Sequence, residues 1–301
     1  MHTVKTCRNR WCGKVQIIDN MIDIPNLDEL IRLALREDIG DGDHSTLACI
    51  PADATARAKM LAKNAGVLCG SEVGERVFRM VDPSLKVTLL KHDGDTLAVG
   101  DTVMTVEGPA GSILTAERTA LNFMQRLSGI ATQTSAMVRM IEGLHTQLLD
   151  TRKTTPNMRL LEKYAVACGG GTNHRIGLYD MIMLKDNHID FAGGIEQAID
   201  RTHAYLSEKG KALKIEIEVR NLDELERVLA HGGVDRIMLD NFDVATLREA
   251  VKRIDGRYET EASGGITGQT LRAYAETGVD YISVGALTHH IKSLDLSLVS
   301  D

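Results

Sequence analysis

The chain has no apolar run approaching the roughly 18 residues of a membrane span, which argues against a transmembrane helix. Its first twenty residues carry Lys5, Arg8, Arg10 and Lys14 but no long apolar core, so they do not read as a secretory signal and a cytoplasmic location is expected. Paired cysteines are also missing. The five present, Cys7, Cys12, Cys49, Cys69 and Cys168, are odd in number and scattered, as reduced thiols are and a disulfide framework is not. Cys7 and Cys12 could form half of a metal site, but no second pair completes it. There is no excess of positive charge either: 35 Lys and Arg stand against 42 Asp and Glu, a formal charge of −7, which argues against nucleic acid or a membrane surface as partner. What is present, 43% hydrophobic and 26% charged residues over 301 positions, is the composition of a soluble globular protein with one large or two ordinary domains.

Against that acidic background, residues 150–189 concentrate fixed cations and glycines. Arg152, Lys153, His174, Arg175 and Lys185 fall at the edges of apolar segments, and Gly169-Gly170-Gly171 lets backbone approach a ligand closely. Such a cluster calls for a small anion more than for solvent.

Taken in order, the chain opens with about twenty polar and basic residues expected to be an extension on the main domain. Asn26 and the acids after it predict a capped helix that stops near Gly40. Short β-like runs follow at 55–63, 66–70, 86–91 and 102–106, with a helix at 72–80. A helical period then runs from Leu114 to about Glu142, interrupted at Gly129. Arg118 lies in its first half, readable either as an exposed helical arginine or as a functional one. After Gln147, strand candidates at 148–150, 181–184, 213–219, 236–240, 258–262 and 281–284 alternate with helices at 159–167, 195–208, 222–230, 244–254 and 267–276. The fold class is therefore α/β: an N-terminal α+β domain over 26–128, rejoined by residues 290–301, then a parallel barrel over 129–289 left incomplete at about six strands. A doubly wound open sheet is the rival.

In a parallel barrel, functional groups gather at the carboxyl ends of the strands. Those ends carry Arg152 and Lys153, Lys185, Glu218, Asp240, Ser263-Gly264-Gly265, and Gly285-Ala286. A carboxylate inside a barrel needs a cation, so Glu216 is expected in a structural ion pair, while Glu218 and Asp240 are read as functional acids suited to Mg²⁺. The glycine loops at the last two strands resemble a phosphate cradle. Together these imply transfer of a phosphorylated sugar to an anionic acceptor.

Several ordered motifs then carry a resemblance: Glu117-Arg118-Thr119-Ala120-Leu121-Asn122, Asp150-Thr151-Arg152-Lys153-Thr154-Thr155-Pro156, Gly170-Gly171-Thr172-Asn173-His174-Arg175, Leu184-Lys185-Asp186-Asn187-His188, Met238-Leu239-Asp240-Asn241 and Glu261-Ala262-Ser263-Gly264-Gly265. From about residue 26 onward the chain resembles the quinolinate phosphoribosyltransferases. The resemblance implies an N-terminal α+β sandwich, an incomplete barrel of the type II phosphoribosyltransferase kind, and a decarboxylating transfer from 5-phosphoribosyl 1-pyrophosphate to quinolinate in NAD biosynthesis. It also implies that Arg118, Arg152, His174, Arg175 and Lys185 bind the quinolinate carboxylates. Lys153, Glu218 and Asp240 act on the donor and its Mg²⁺, and Ser263, Gly264, Gly285 and His289 hold phosphate. A homodimer in which Arg118 enters the neighbouring subunit's site is implied as well. A relative of the same fold with another acceptor, such as a molybdenum-associated one, and a non-enzymatic phosphosugar-binding protein are the alternatives. The extension before Met21 departs from the pattern, as does one extra residue at Gly232-Gly233.

Overall fold

The computed structural model describes residues 16–18 and 21–301, with side chains from Ile24 onward. Most of the basic extension, and Cys7 and Cys12 with it, lies outside the described residues. In chain order the elements are β1 (Gln16–Ile18), β2 (Met21–Asp23), α1 (Leu27–Ile39), α2 (His44–Cys49), β3 (Thr55–Ala62), β4 (Gly66–Val67), α3 (Ser71–Val81), β5 (Lys86–Leu89), β6 (Thr96–Leu97), β7 (Thr102–Pro109) and α4 (Ala110–Met140). Then follow β8 (Gln147–Leu149), α5 (Arg159–Cys168), β9 (Ile182–Leu184), α6 (Asp186–Ala192), α7 (Ile195–Lys209), β10 (Ile215–Val219), α8 (Leu222–His231), β11 (Arg236–Asp240), α9 (Val244–Ile254), β12 (Glu259–Ser263), α10 (Leu271–Ala275), β13 (Tyr281–Ser283), α11 (Ala286–His289) and β14 (Leu296–Ser300).

Two compact units are formed: residues up to Ser135 with 154–170 and 286–301, and residues 136–153 with 171–285. The first is built on an antiparallel sheet ordered β14-β3-β7-β5. Along β3 the alternation of a half-buried strand puts Ala58, Met60 and Ala62 inside. The carboxyl-terminal β14 pairs with β3 from Leu296↔Ala62 to Ser300↔Ala58, and Asp301 beyond it meets Lys59 Nζ at 2.8 Å. Helix α4 buries Ala116, Ala120, Leu121, Met124, Leu127 and Ile130 in this unit, each large side chain contributing about 1.5–3 kcal/mol. Helix α3 meets it at Gly74, where a Cβ would run into the Met124 side chain.

The second unit is built on a six-stranded parallel sheet ordered β8-β13-β12-β11-β10-β9. Ile215, Ile217, Val219, Ile237, Leu239, Ala262 and Ile282 are buried on one of its faces, and the opposite face, also buried, carries Glu216, Glu218, Arg236 and Glu261. A doubly wound sheet would reverse its strand order at a switch point. Here β9 to β13 follow one another without reversal, and β8 lies beyond β13, where a closing barrel brings its first strand. The gap falls between β8 and β9: on its far side from β13, β8 has a single parallel bridge, Leu149↔Thr172, in place of a neighbouring strand. This is an incomplete α/β barrel. Helices α8 and α9 start at Asn221 and Asp243, whose side chains accept from the Glu224 and Thr246 amides at 2.9 and 2.8 Å.

Four local expectations are corrected. Asn26 precedes α1 but sits in the left-handed region at φ 64° with no side-chain cap, so only the acids Asp28 and Glu29 serve the helix start. Leu114, expected on the packed stripe, is 44% exposed. Gly129 does not interrupt α4: a Cβ there would lie 2.9 Å from Ser293 Cα and closer still to the Lys292 carbonyl oxygen, so the glycine admits the carboxyl-terminal segment against an unbroken helix. The helix expected from Thr267 begins only at Leu271, because the Thr270 hydroxyl accepts the Thr267 amide at 3.0 Å and closes a turn first. Helices α2, α6 and α11 were not foreseen; none exceeds seven residues.

Candidate active site

In the second unit the parallel sheet delivers one functional group after another at its carboxyl edge. Asp150 follows β8, Lys185 follows β9, Glu218 is the penultimate residue of β10, Asp240 and Ser263 end β11 and β12 in register with each other, and Gly285 follows β13. The ladder continues one step past β11, with the Asn241 amide donating to the Ser263 carbonyl at 2.9 Å. Gly264 has to be glycine: its φ is +99°, and a Cβ would stand 2.9 Å from the Asn241 backbone nitrogen.

Two acids and a lysine share this edge. Lys185 Nζ lies 3.8 Å from Glu218 Oε2. Burial raises the Glu218 carboxyl above its ordinary range, Asp240 raises it further, and Lys185 opposes both. Asp240 is likewise raised by burial, against Lys185, the Asn241 amide and Ser263. A buried and a half-buried carboxylate on adjacent strands, each pushed toward its neutral form, are hard oxygen donors that a divalent cation would relieve, so the donor set fits Mg²⁺.

The cationic side is formed by Arg152 and Arg175. Burial disfavours the charge on the Arg175 guanidinium, and Arg152 pushes in the same direction, so the two cations are close enough to repel. No carboxylate oxygen of a described residue forms an ion pair with Arg175; its Nη1 reaches the Met181 carbonyl at 3.3 Å and its Nη2 the Met183 sulfur at 3.5 Å. Two like charges held together in partial burial are a ready site for an anion with more than one carboxylate. Lys153 is exposed on the same loop as Arg152, its amide bonded to Thr151 Oγ1 at 3.0 Å.

Beneath them, His174 sits between two fully buried acids, its Nε2 at 2.9 Å from Glu216 and 3.2 Å from Glu261. Glu216 therefore has a buried partner, as expected, and that partner is His174. Arg236 extends the chain, reaching Glu261 at 3.1 Å and Glu259 at 3.0 Å while its guanidinium lies over the Tyr281 ring. Burial works against a charge on His174, and its hydrogen bonds to the two acids outweigh it, lifting its pKa to about 9. Yet His174 Nδ1 accepts the Arg175 amide at 2.6 Å, which requires that nitrogen bare. That places the ring proton on Nε2, facing the two acids, while burial and Glu261 push the Glu216 carboxyl up to about 7. Glu261, Glu259, Arg236 and Tyr281 were not singled out in the sequence; only the inward period of two along β10 hinted at such a network.

Arg118 is exposed on α4 and His289 is exposed at the end of α11, its ring against His290 at 5.3 Å; both belong to the first unit. A cavity of about 390 Å³ opens beside Asn241 and Phe242. It is lined by Arg220 and Asp243 instead of Lys185, Glu218 or Asp240, and Arg220 is already tied to Asp190 and Glu224, so the reacting groups lie elsewhere.

Comparison with known proteins agrees along most of the chain. Residues 43–128 match the model of the quinolinate phosphoribosyl transferase N-terminal domain, and residues 130–299 that of the C-terminal domain. A chloroplastic nicotinate-nucleotide pyrophosphorylase (carboxylating) of Oryza sativa is 48% identical over 92% of this chain and 78% of its own length. A probable nicotinate-nucleotide pyrophosphorylase of Bacillus subtilis is 43% identical over 90% and 92%. The crystal structure of NadC from Streptococcus pyogenes superposes with a TM-score of 0.87 at 43% identity, covering 93% of this chain and 99% of that one. With both domain models matched in order and identities well above what fold alone would give, the chain belongs to the quinolinate phosphoribosyltransferase family.

Proposed function

We propose that this protein transfers the phosphoribosyl group of 5-phosphoribosyl 1-pyrophosphate to the ring nitrogen of quinolinate, with loss of carbon dioxide, to give nicotinate mononucleotide and pyrophosphate in NAD biosynthesis. The observation that carries the reading is the pairing, on one sheet edge, of the mutually repelling Arg152 and Arg175 with the raised carboxyls of Glu218 and Asp240. One set suits a dicarboxylate, the other a phosphosugar with a divalent cation. A protein that merely bound a phosphosugar would have no use for the first set, and an acceptor lacking two carboxylates would not need both arginines.

Arg152, Arg175 and Lys185, with Arg118, are proposed as the quinolinate side of the site, His174 serving it from behind because both its ring nitrogens are engaged, and Ser263, Gly264, Gly285 and His289 as phosphate contacts. Arginine forks grip a carboxylate bidentately and orient the ring so that its nitrogen faces the sugar. That nitrogen is itself the nucleophile, so no strong base is required. As the bond from C1 to pyrophosphate breaks, positive charge develops on the ribose and negative charge on the leaving group. Glu218 and Asp240 would stabilise the former, and Lys153 the latter. Glu218 and Asp240 would also hold Mg²⁺, which when bound neutralises the pyrophosphate. The ring nitrogen, positive once ribosylated, stabilises the carbanion left at the adjacent carbon when the carboxylate departs as carbon dioxide, and that electron pair then takes a proton from water.

A homodimer with Arg118 supplied across the interface, and a cytoplasmic location, are part of the proposal. Among the described residues no helix is long and apolar enough to cross a membrane. Two relatives are named chloroplastic and three mitochondrial, so fractionation of the source cells is the test of location. The reaction is tested by release of carbon dioxide from carboxyl-labelled quinolinate with the phosphosugar and Mg²⁺, each omitted in turn. Release that needs all three is expected; release independent of the phosphosugar, or none, overturns the reading.

A further inference from the structure

Four successive amide donors, on His174, Arg175, Ile176 and Gly177, lie in a stretch with neither helix nor strand. Each is nevertheless taken by a side chain. His174 donates to Asp150 Oδ1 at 2.8 Å, Arg175 to His174 Nδ1 at 2.6 Å, Ile176 to Asp180 Oδ2 at 2.7 Å, and Gly177 to Asp180 Oδ1 at 2.8 Å. The two ends of the run are thus gripped by carboxylates, Asp150 fully buried at the end of β8 and Asp180 exposed on the loop itself. Asp150 is further tied to the Asn173 side chain, and the buried acids behind His174 fix the ring that accepts the Arg175 amide. The Tyr179 ring packs over Gly177, where a Cβ would collide with it, so Asp180 is carried back over the amides it binds.

Arg175 is the residue this clamp encloses. Its guanidinium has only two long contacts, at 3.3 and 3.5 Å, to a carbonyl and a sulfur. Its direction is therefore set by the backbone from which it springs more than by partners at its tip. A loop anchored by charge-assisted bonds on both sides of one arginine is pre-organised, and such anchoring lowers the cost of binding an anion.

We infer that Asp180 is a positioning residue: its carboxylate closes the 174–177 loop and so fixes the direction in which Arg175 meets the acceptor's carboxylate. The inference rests on the reading that Arg175 binds that carboxylate. Asp180 also bears a negative charge that acts on Arg175, and this supplies the rival account, in which Asp180 tunes charge and opposes the anion.

The two accounts differ in sign. Asp180→Ala removes both acceptors, whereas Asp180→Asn keeps one oxygen and loses the charge; the position is exposed, so both variants are expected to fold. In Asp180→Ala, amide hydrogen exchange across residues 172–180 of the full-length protein should quicken about tenfold with the rest unchanged. The quinolinate KM should rise about tenfold with kcat within about twofold and the KM for phosphoribosyl pyrophosphate unaltered. Asp180→Asn should fall between the variant and the wild type. An unchanged exchange rate, or a quinolinate KM that stays put or falls in either variant, overturns the inference. A wild type without quinolinate-dependent turnover instead overturns the reading of the site, and accelerated exchange in Asp180→Ala would then leave the clamp standing alone.

Discussion

Arg175 differs from a surface arginine in three measurable respects: it is half-buried, Arg152 repels it, and it has no carboxylate partner among the described residues. A lysine there would keep the charge but lose the planar fork, and its compact ammonium would sit deeper in the repulsive field of Arg152. Arg175→Lys is expected to raise the quinolinate KM by about ten- to a hundredfold, the loss of a bidentate contact worth about 1.5–3 kcal/mol. Far-ultraviolet circular dichroism and Tm should be unchanged. Steady-state kinetics with quinolinate varied checks this, and an unaltered KM would remove Arg175 from the acceptor site. The cations were readable in the sequence because they break the apolar pattern of their surroundings. The carboxylates that hold them in place were not, since Asp150, Asp180 and Glu261 look in sequence like any acid near a strand end. What distinguishes them is which amide or imidazole they face, and that is set by chain returning from elsewhere, as Glu261 comes from β12 to meet His174 from the loop after α5.

At the scale of elements, the parallel half of the fold was legible almost strand by strand, because short strands with one apolar face alternate with amphipathic crossover helices at a regular spacing. The elements that escaped are those without a period to detect, such as the seven-residue α6 and the four-residue α11. Gly129 illustrates the opposite error, in which local propensity was allowed to outvote packing. In an exposed helix, Gly→Ala gains about 1 kcal/mol. Here the added methyl group would meet the backbone of Lys292 and Ser293, which cannot swing aside as a side chain can. Overpacking of this kind costs about 1–3 kcal/mol, so Gly129→Ala is expected to lower Tm in thermal unfolding, and a rise would show that the carboxyl-terminal segment yields readily. Glu162 is a second fixed point of the same unit. It is fully buried, pairs with Arg126 at 2.6 Å and accepts the Thr155 amide at 3.1 Å, so it pins the loop that begins at Thr154.

For the molecule as a whole, the question the proposal raises is why an acceptor site should place one of its cations on α4, in a different compact unit from the others. Arg118 is exposed, and Leu114, one turn earlier on the same helix, is an exposed apolar neighbour. An arginine displayed beside an apolar contact on a helix surface suits an isologous interface, in which each subunit lends the same residue to the other. Genetic complementation separates this arrangement from an arginine acting within its own chain. Arg118→Ala and Lys153→Ala are each expected to be nearly inactive, the first through the acceptor and the second through the leaving group. When the two inactive proteins are unfolded together and refolded as a mixture, random pairing makes half of the dimers mixed. If Arg118 acts across the interface, each mixed dimer has one site carrying both defects and one carrying neither, so activity should recover to about a quarter of the wild-type value. If Arg118 serves its own subunit, every site keeps one defect and the mixture stays as inactive as its components. The mixture's recovered activity, read with the dimer population measured by sedimentation, therefore decides both the assembly and which subunit supplies Arg118 in one experiment.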